Sequence, residues 1–229
     1  MKAKDFKATH AIDTLTGKVS RTYTHKGKQC KAIPLSSKLC NQLAGYTLIE
    51  KDLRSALIWL DEIEKRHNEA PKDPDHRFGH GTNRENYTLI KGLFVALLTF
   101  YGKCFSKCEG RPVKLEKAQL DAKNHETHDE LITYRHNFAA HSGSERVEQV
   151  EIVLVHPKKL TPELPLMIFR ELQQPDLLFS KESDASIRET IENARAVANS
   201  KIENLSAKIL NKEVIPNAKS LILGGKAKN

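Results

Sequence analysis

The 229-residue sequence predicts a mainly α-helical protein with small β additions, and three observations carry that expectation. Leu39, Leu43, Tyr46, Ile49, Leu53, Leu57, Leu60 and Ile63 recur at steps of three and four, the spacing that gathers side chains on one face of an α-helix. From Tyr87 to Phe105 the chain is apolar on nearly every face, so this helix is either central or turned towards a partner subunit. A third stripe, Ile187, Ile191, Ala194, Ala198, Ile202, Leu205 and Ile209, repeats at the same period. Its narrowness suits packing on the core or pairing with another chain.

Taken in order, residues 1–35 form a basic β extension. Val19, Arg21, Tyr23 and His25 share one face of a strand, with Ser20, Thr22 and Thr24 on the other. Thr9 to Thr14 supplies the partner strand, Thr16-Gly17-Lys18 the turn, and Lys26-Gly27-Lys28 a second turn. A helical core over 36–145 follows. Its first helix is capped by Ser36 or Ser37 and runs to about His67, with Trp59 packing in or at the edge of the core. Glu69 to Gly81 is rich in proline and glycine and reads as a loop. Thr82 and Glu85 form a capping box for the second helix. Leu115–Leu120 makes a short connecting helix, and the third helix covers roughly Asn124 to His141, with a second possible capping box at Thr127–Glu130 and a buried stripe of Leu131, Tyr134 and Phe138. Residues 146–180 form a β-hairpin, 181–213 a C-terminal helix and 214–229 a basic flexible tail.

Composition narrows the class. Hydrophobic residues at 39%, charged residues at 29% and a mean hydropathy of −0.52 suit a soluble protein. The longest apolar run, Gly92 to Phe100, falls far short of the roughly 20 residues that cross a bilayer. With no apolar stretch behind Met1 to read as a signal peptide, a cytoplasmic protein with no membrane partner is expected. The four cysteines are then expected as thiols. Cys104 and Cys108 stand one helical turn apart but lack a second Cys/His pair, so neither a metal site nor another cofactor is expected. The net charge of +8 is unevenly placed: residues 1–34 hold eight Lys/Arg against two acids, and 194–229 hold seven against two. Basic ends suit a polyanion such as RNA, and they equally suit solvated tails.

One stretch concentrates the groups able to bind phosphate and move protons. Thr133 to Gly143 includes Tyr134, Arg135, His136, Asn137, His141 and Ser142, with Ser142-Gly143-Ser144 marking a helix end. An arginine offers a permanent, planar charge to phosphate oxygens. A histidine takes and returns a proton near neutral pH, and an asparagine holds an anion or orients the imidazole. Together they suffice for RNA cleavage. His141 would deprotonate a ribose 2′-hydroxyl, which attacks the adjacent phosphate, while Arg135 stabilises the charge of the transition state. On a regular helix Arg135 and His141 stand about 120° apart, whereas His128, Ile132 and Arg135 share a face. Three explanations stay open: the helix ends before His141, the ligand is large, or a partner chain completes the site. A purely structural reading has Arg135 and His141 cap the helix and pair with Glu126 or Glu130.

Arg135-His136-Asn137-Phe138-Ala139-Ala140-His141 resembles the R-x(4–6)-H motif of HEPN-domain proteins, with Arg135 and His141 at the defining positions and Asn137, or the directly following His136, as the supporting polar residue. The likeness spans about Ser36 to Ser144. It implies an antiparallel HEPN-like helical bundle for that span; the β-hairpin additions at the N-terminus and after the third helix, and the last helix, come from the residue pattern and not from the likeness. It also implies a homodimer whose two motifs meet in one cleft, and metal-independent endoribonuclease activity on RNA in toxin–antitoxin or phage-defence systems, with a cognate antitoxin as a possible partner. The alternative within the same resemblance is a non-catalytic RNA- or nucleotide-binding or dimeric interaction protein.

Overall fold

The computed structural model describes residues 5–69, 84–136, 149–158, 166–173 and 181–224. It is mainly helical, with two small antiparallel sheets. The chain divides into two compact units, one made by 1–40 with 207–229 and the other by 41–206.

In the first unit, β1 (Phe6–Ile12), β2 (Val19–His25) and β3 (Lys28–Cys30) form a sheet in sequence order. The predicted turns are where the chain reverses. Asp13 Oδ1 accepts the Leu15 and Thr16 amides at 2.9 and 3.2 Å, and Gly17 adopts φ 66°. Those donors hold the Asp13 carboxyl below its ordinary value. At the second turn Lys26 and Gly27 have φ 50° and 78°, as a two-residue hairpin of right-handed twist requires. Ile12 lies opposite Val19 and Phe6 opposite His25.

The second unit is built on four helices: α1 (Lys38–Glu69, which begins in the first unit), α2 (Arg84–Cys104), α3 (His125–Tyr134) and α4 (Lys181–Ile209, which ends in the first unit). Ser37 caps α1, its hydroxyl accepting the Cys40 amide at 3.1 Å. The α1 stripe is buried from Ile49 to Ile63, and the faces of Ile90, Phe94, Leu97, Leu98 and Tyr101 on α2 meet it in one core. Trp59 packs edge-on against Phe100 at 4.7 Å. The α4 stripe belongs to the same core through Ile187, Ile191, Ala194 and Ala198. Of the two roles its narrowness allowed, packing on the core is the one realised. Arg195 bonds Glu50, and Arg188 bonds Asp61 and Glu64, so α1 and α4 run antiparallel. Cys104 lies against the Ile49 carbonyl while Arg66 bonds Asn86, so α1 and α2 do as well.

Several boundaries differ from expectation. The connection over 115–120 is a single 3-10 turn at Lys117–Gln119, followed by another at Ala122–Asn124. Asn124 then precedes α3, so Thr127 and Glu130 lie inside the helix and form no capping box. The α3 backbone widens into a π-type turn at Arg135–His136, the last described residues of that segment. Tyr134, expected in the buried stripe, is exposed. The face that packs is the one holding His128, Leu131, Ile132 and Arg135, and Tyr134 stands about 100° from Arg135 around the axis. Within the hairpin expected over 146–180, β4 (Gln149–Val155) pairs with β5 (Met167–Gln173), and residues 146–148 and 174–180 lie outside the described residues. Past Pro216, where a flexible tail was expected, the chain forms a short exposed helix, α5 (Ala218–Gly224). The loop over 69–81 and the box at Thr82 lie outside the described residues beyond Glu69.

One buried ion pair escaped the periodicity. Asp52 on α1, which lies outside the apolar stripe, is buried and accepts Arg111 Nη1 at 3.2 Å. Arg111 reaches it from a turn that closes between Cys108 and Arg111, where Gly110 takes φ 75°. The Arg111 Nη2 atom also bonds the Lys103 carbonyl and lies 3.4 Å from Cys108 Sγ. Cys104 is a core residue whose thiol burial pushes up to about 12, with Arg111 opposing that shift. Among the described residues no three metal-ligating side chains cluster, and no described helix is long and apolar enough to cross a membrane.

Candidate functional site

The C-terminal turn of α3 is placed by its packing on the end of α2. Seven residues apart and so on one face, His128 and Arg135 both meet α2. Arg135 lays its side chain over Gly102, where a methyl group would overlap its Cδ and stand 2.9 Å from its Nε. Glycine inside a helix costs about 1 kcal/mol relative to alanine, and here its lack of a Cβ opens the slot the arginine occupies. Beyond that slot Arg135 Nη1 donates to Ser106 Oγ at 3.0 Å, and the Ser106 hydroxyl donates to the Gly102 carbonyl at 2.8 Å. Gly102 and Ser106, one helical turn apart, therefore fix the guanidinium through its stem and its tip. Among the described residues no carboxylate pairs with it; Glu126 and Glu130, the acids of the structural reading, do not reach it.

About two turns back along α3 lies a second pair. His128 Nδ1 is 2.8 Å from the Tyr101 hydroxyl, and its ring stands edge-on to Phe105 at 4.4 Å and to Tyr101 at 5.8 Å. Burial lowers the His128 pKa below its ordinary value and raises that of Tyr101. Both groups are therefore neutral at pH 7. The hydroxyl and Nδ1 share one hydrogen bond, in which the hydroxyl is the donor for the tautomer that carries its proton on Nε2. This pair clamps α3 to α2 beneath Arg135.

Of the sequence-predicted residues, Arg135 is half-buried and oriented as described. His136 is exposed, and Tyr134 is exposed with its ring edge-on to Phe94 at 6.2 Å. Asn137, His141 and Ser142 lie outside the described residues. Sequence reasoning missed Gly102, Ser106, Tyr101 and the burial of His128. Its available signals were the glycine within an otherwise apolar helix, with a serine one turn on, and the shared face of His128 and Arg135.

A shallow groove of about 390 Å³ lies elsewhere, between α1 at Asn41, Gly45 and Leu48 and the turn at Cys108, Arg111 and Pro112. Its one cation, Arg111, is committed to Asp52 and the Lys103 carbonyl. Comparison with protein-family models, curated proteins and solved structures yields no match to this chain.

Proposed function

We propose that the chain is a HEPN-like, metal-independent endoribonuclease of the toxin–antitoxin or phage-defence type, acting as a homodimer. The reaction is attack of a ribose 2′-hydroxyl on its own 3′-phosphate, leaving a 2′,3′-cyclic phosphate and a 5′-hydroxyl. His141 is the base, Arg135 the stabiliser of the transition-state charge, and Asn137 the supporting polar group, with His136, Tyr134 and Ser142 around them. Besides the R-x(4–6)-H resemblance, the observation that supports this reading is the setting of Arg135. Among the described residues its guanidinium meets a glycine slot and a neutral hydroxyl and no carboxylate, and an arginine so placed offers its charge to a phosphate. The π-type turn at Arg135–His136 is a helix irregularity of a kind frequent at functional sites.

The test is cleavage of total RNA by the purified chain in EDTA, with the fragment ends analysed. Wild type is expected to leave cyclic phosphate ends and His141→Ala to leave RNA intact; equal cleavage by the variant overturns the assignment. Gly102→Ala displaces Arg135 by crowding its Cδ and is expected to lower the cleavage rate about 10- to 100-fold, as small misplacements of a catalytic group do. Its unfolding free energy should shift by no more than about 1 kcal/mol, because improved helix propensity offsets the crowding.

A second reading, a non-catalytic RNA- or nucleotide-binding or dimeric interaction protein, is favoured by the β4–β5 hairpin. Val150, Ile152, Leu154 and Ile168 share one of its faces and all are exposed, an apolar surface of the kind that marks association. This reading predicts a dimer that binds RNA and leaves it uncut.

A further inference from the structure

The three-stranded sheet of the first unit has a face that the proposed chemistry does not use. The β1–β2–β3 register puts Phe6, His10, Arg21, Tyr23, His25 and Lys28 on one side. Phe6 is 58% exposed and Tyr23 37% exposed, so two aromatic rings stand in water on a strand surface where apolar rings are ordinarily covered. Phe6 and His25 stack at 4.3 Å with an interplanar angle of 26°, a pre-formed two-ring stack that a base can extend. Tyr23 lies opposite the small Ala8, which leaves space beside its ring. Side chains two apart on a strand are about 7 Å apart, so Tyr23 and the Phe6–His25 stack are separate, successive platforms.

The charge on this face has one sign. Between Asp5 and Pro34 there are six Lys/Arg and two acids. Neither acid is on the face: Asp5 precedes β1, and the Asp13 carboxylate is bonded to amides of the turn. Exposed rings interleaved with cations and free of anions are what an unpaired nucleic acid strand requires. The rings stack on bases, and Arg21 and Lys28 meet the phosphates. A duplex offers its phosphates but keeps its base faces stacked internally, so it uses only the charge.

We propose that this face of the β1–β2–β3 sheet is a binding platform for single-stranded RNA, stacking bases on Tyr23 and on the Phe6–His25 pair. The polymer's identity as RNA, rather than the platform itself, rests on the ribonuclease reading. The experiment is fluorescence anisotropy with the full chain and a labelled, unstructured 2′-O-methyl RNA strand about ten nucleotides long, a length within the range such platforms bind. That strand has no 2′-hydroxyl to attack, so it stays intact. Phe6→Leu with Tyr23→Leu removes the rings and keeps apolar side chains at both positions. This double variant is expected to weaken single-strand binding at least about tenfold, while Thr22→Leu on the opposite face changes it less than about twofold. Affinity of the double variant within about twofold of wild type overturns the proposal, as does equal wild-type affinity for the strand and its duplex. Should the double variant lose its sheet, photo-cross-linking of wild type to a strand carrying 4-thiouridine decides. Cross-links in the peptide spanning Phe6 to Cys30 support the platform, and cross-links confined elsewhere overturn it. The two readings fail separately. Binding through the sheet with no cleavage of ordinary RNA in EDTA removes only the ribonuclease assignment, and cleavage with no cross-link to the sheet removes only the platform.

Discussion

The Tyr101–His128 pair controls how firmly the Arg135 turn is held, and it makes that hold depend on pH. In the folded chain His128 Nδ1 is hydrogen-bonded to the Tyr101 hydroxyl. In the unfolded chain it titrates near 6.5. Burial puts the folded value below that, so between the two values the unfolded state binds the extra proton. The pair's stabilisation is therefore complete above about pH 6.5 and is lost as pH falls through the folded-state value. Urea unfolding from pH 7.5 down to 5 should show a loss of stability in wild type that is shallower in His128→Gln, which keeps an acceptor and does not titrate. An equal slope in the variant would assign the loss to other groups. The sequence supplied half of this feature. Helix arithmetic put His128 and Arg135 on one face, but the packing of that face on α2 depends on Tyr101, Gly102 and Ser106, which lie about 30 positions away, and periodicity within α3 does not say which segment it meets. The Asp52–Arg111 pair was hidden for the same reason, its members standing 59 positions apart.

At the scale of elements, α4 is the helix whose role the structure changes most. Its stripe could have served a partner chain, yet Ile191 is fully buried in the core shared with α1 and α2. Ile191→Ala should then cost about 2–5 kcal/mol in unfolding free energy, as large-to-small changes in a packed core do. Ile222→Ala on α5, where the side chain is 70% exposed, should change it by no more than about 0.5 kcal/mol. Chemical denaturation of both variants checks this, and a small effect at Ile191 would detach α4 from the core. The long helices were legible because each buries one continuous stripe, and a period of 3.6 survives any partner. The hairpin turns were legible because Gly17 and Gly27 take positive φ. What periodicity could not supply were the 3-10 turns after Lys114 and the π-type turn at Arg135, where the winding departs from the period assumed. The exposure of Tyr134 also depends on which neighbouring face α2 occupies, a fact external to α3.

Across the whole molecule the charge is divided by region. Residues 1–34 and 194–229 hold the excess of Lys/Arg, and the intervening chain is net acidic. A polyanion bound by this protein therefore gains most of its long-range attraction from the ends, even if chemistry occurs at the α3 terminus. Each phosphate neutralised on a single strand contributes about −0.7 to the slope of log K against log salt. Replacing Lys7, Lys18, Lys26 and Lys28 by Gln removes four cations of the first unit while keeping side-chain length and leaving the rings of the sheet in place. If all four meet phosphates, the slope should become shallower by about 3; contact by only two would change it by about 1.4. The measurement is a salt titration of RNA affinity for wild type and the fourfold variant. The same comparison separates charge from stacking. The variant should converge on wild-type affinity as salt rises, because screening removes the term that distinguishes them, whereas a loss caused by missing rings persists at every salt concentration. An unchanged slope would move the polyanion to the C-terminal cations, Lys201, Lys208, Lys212 and Lys219 among them.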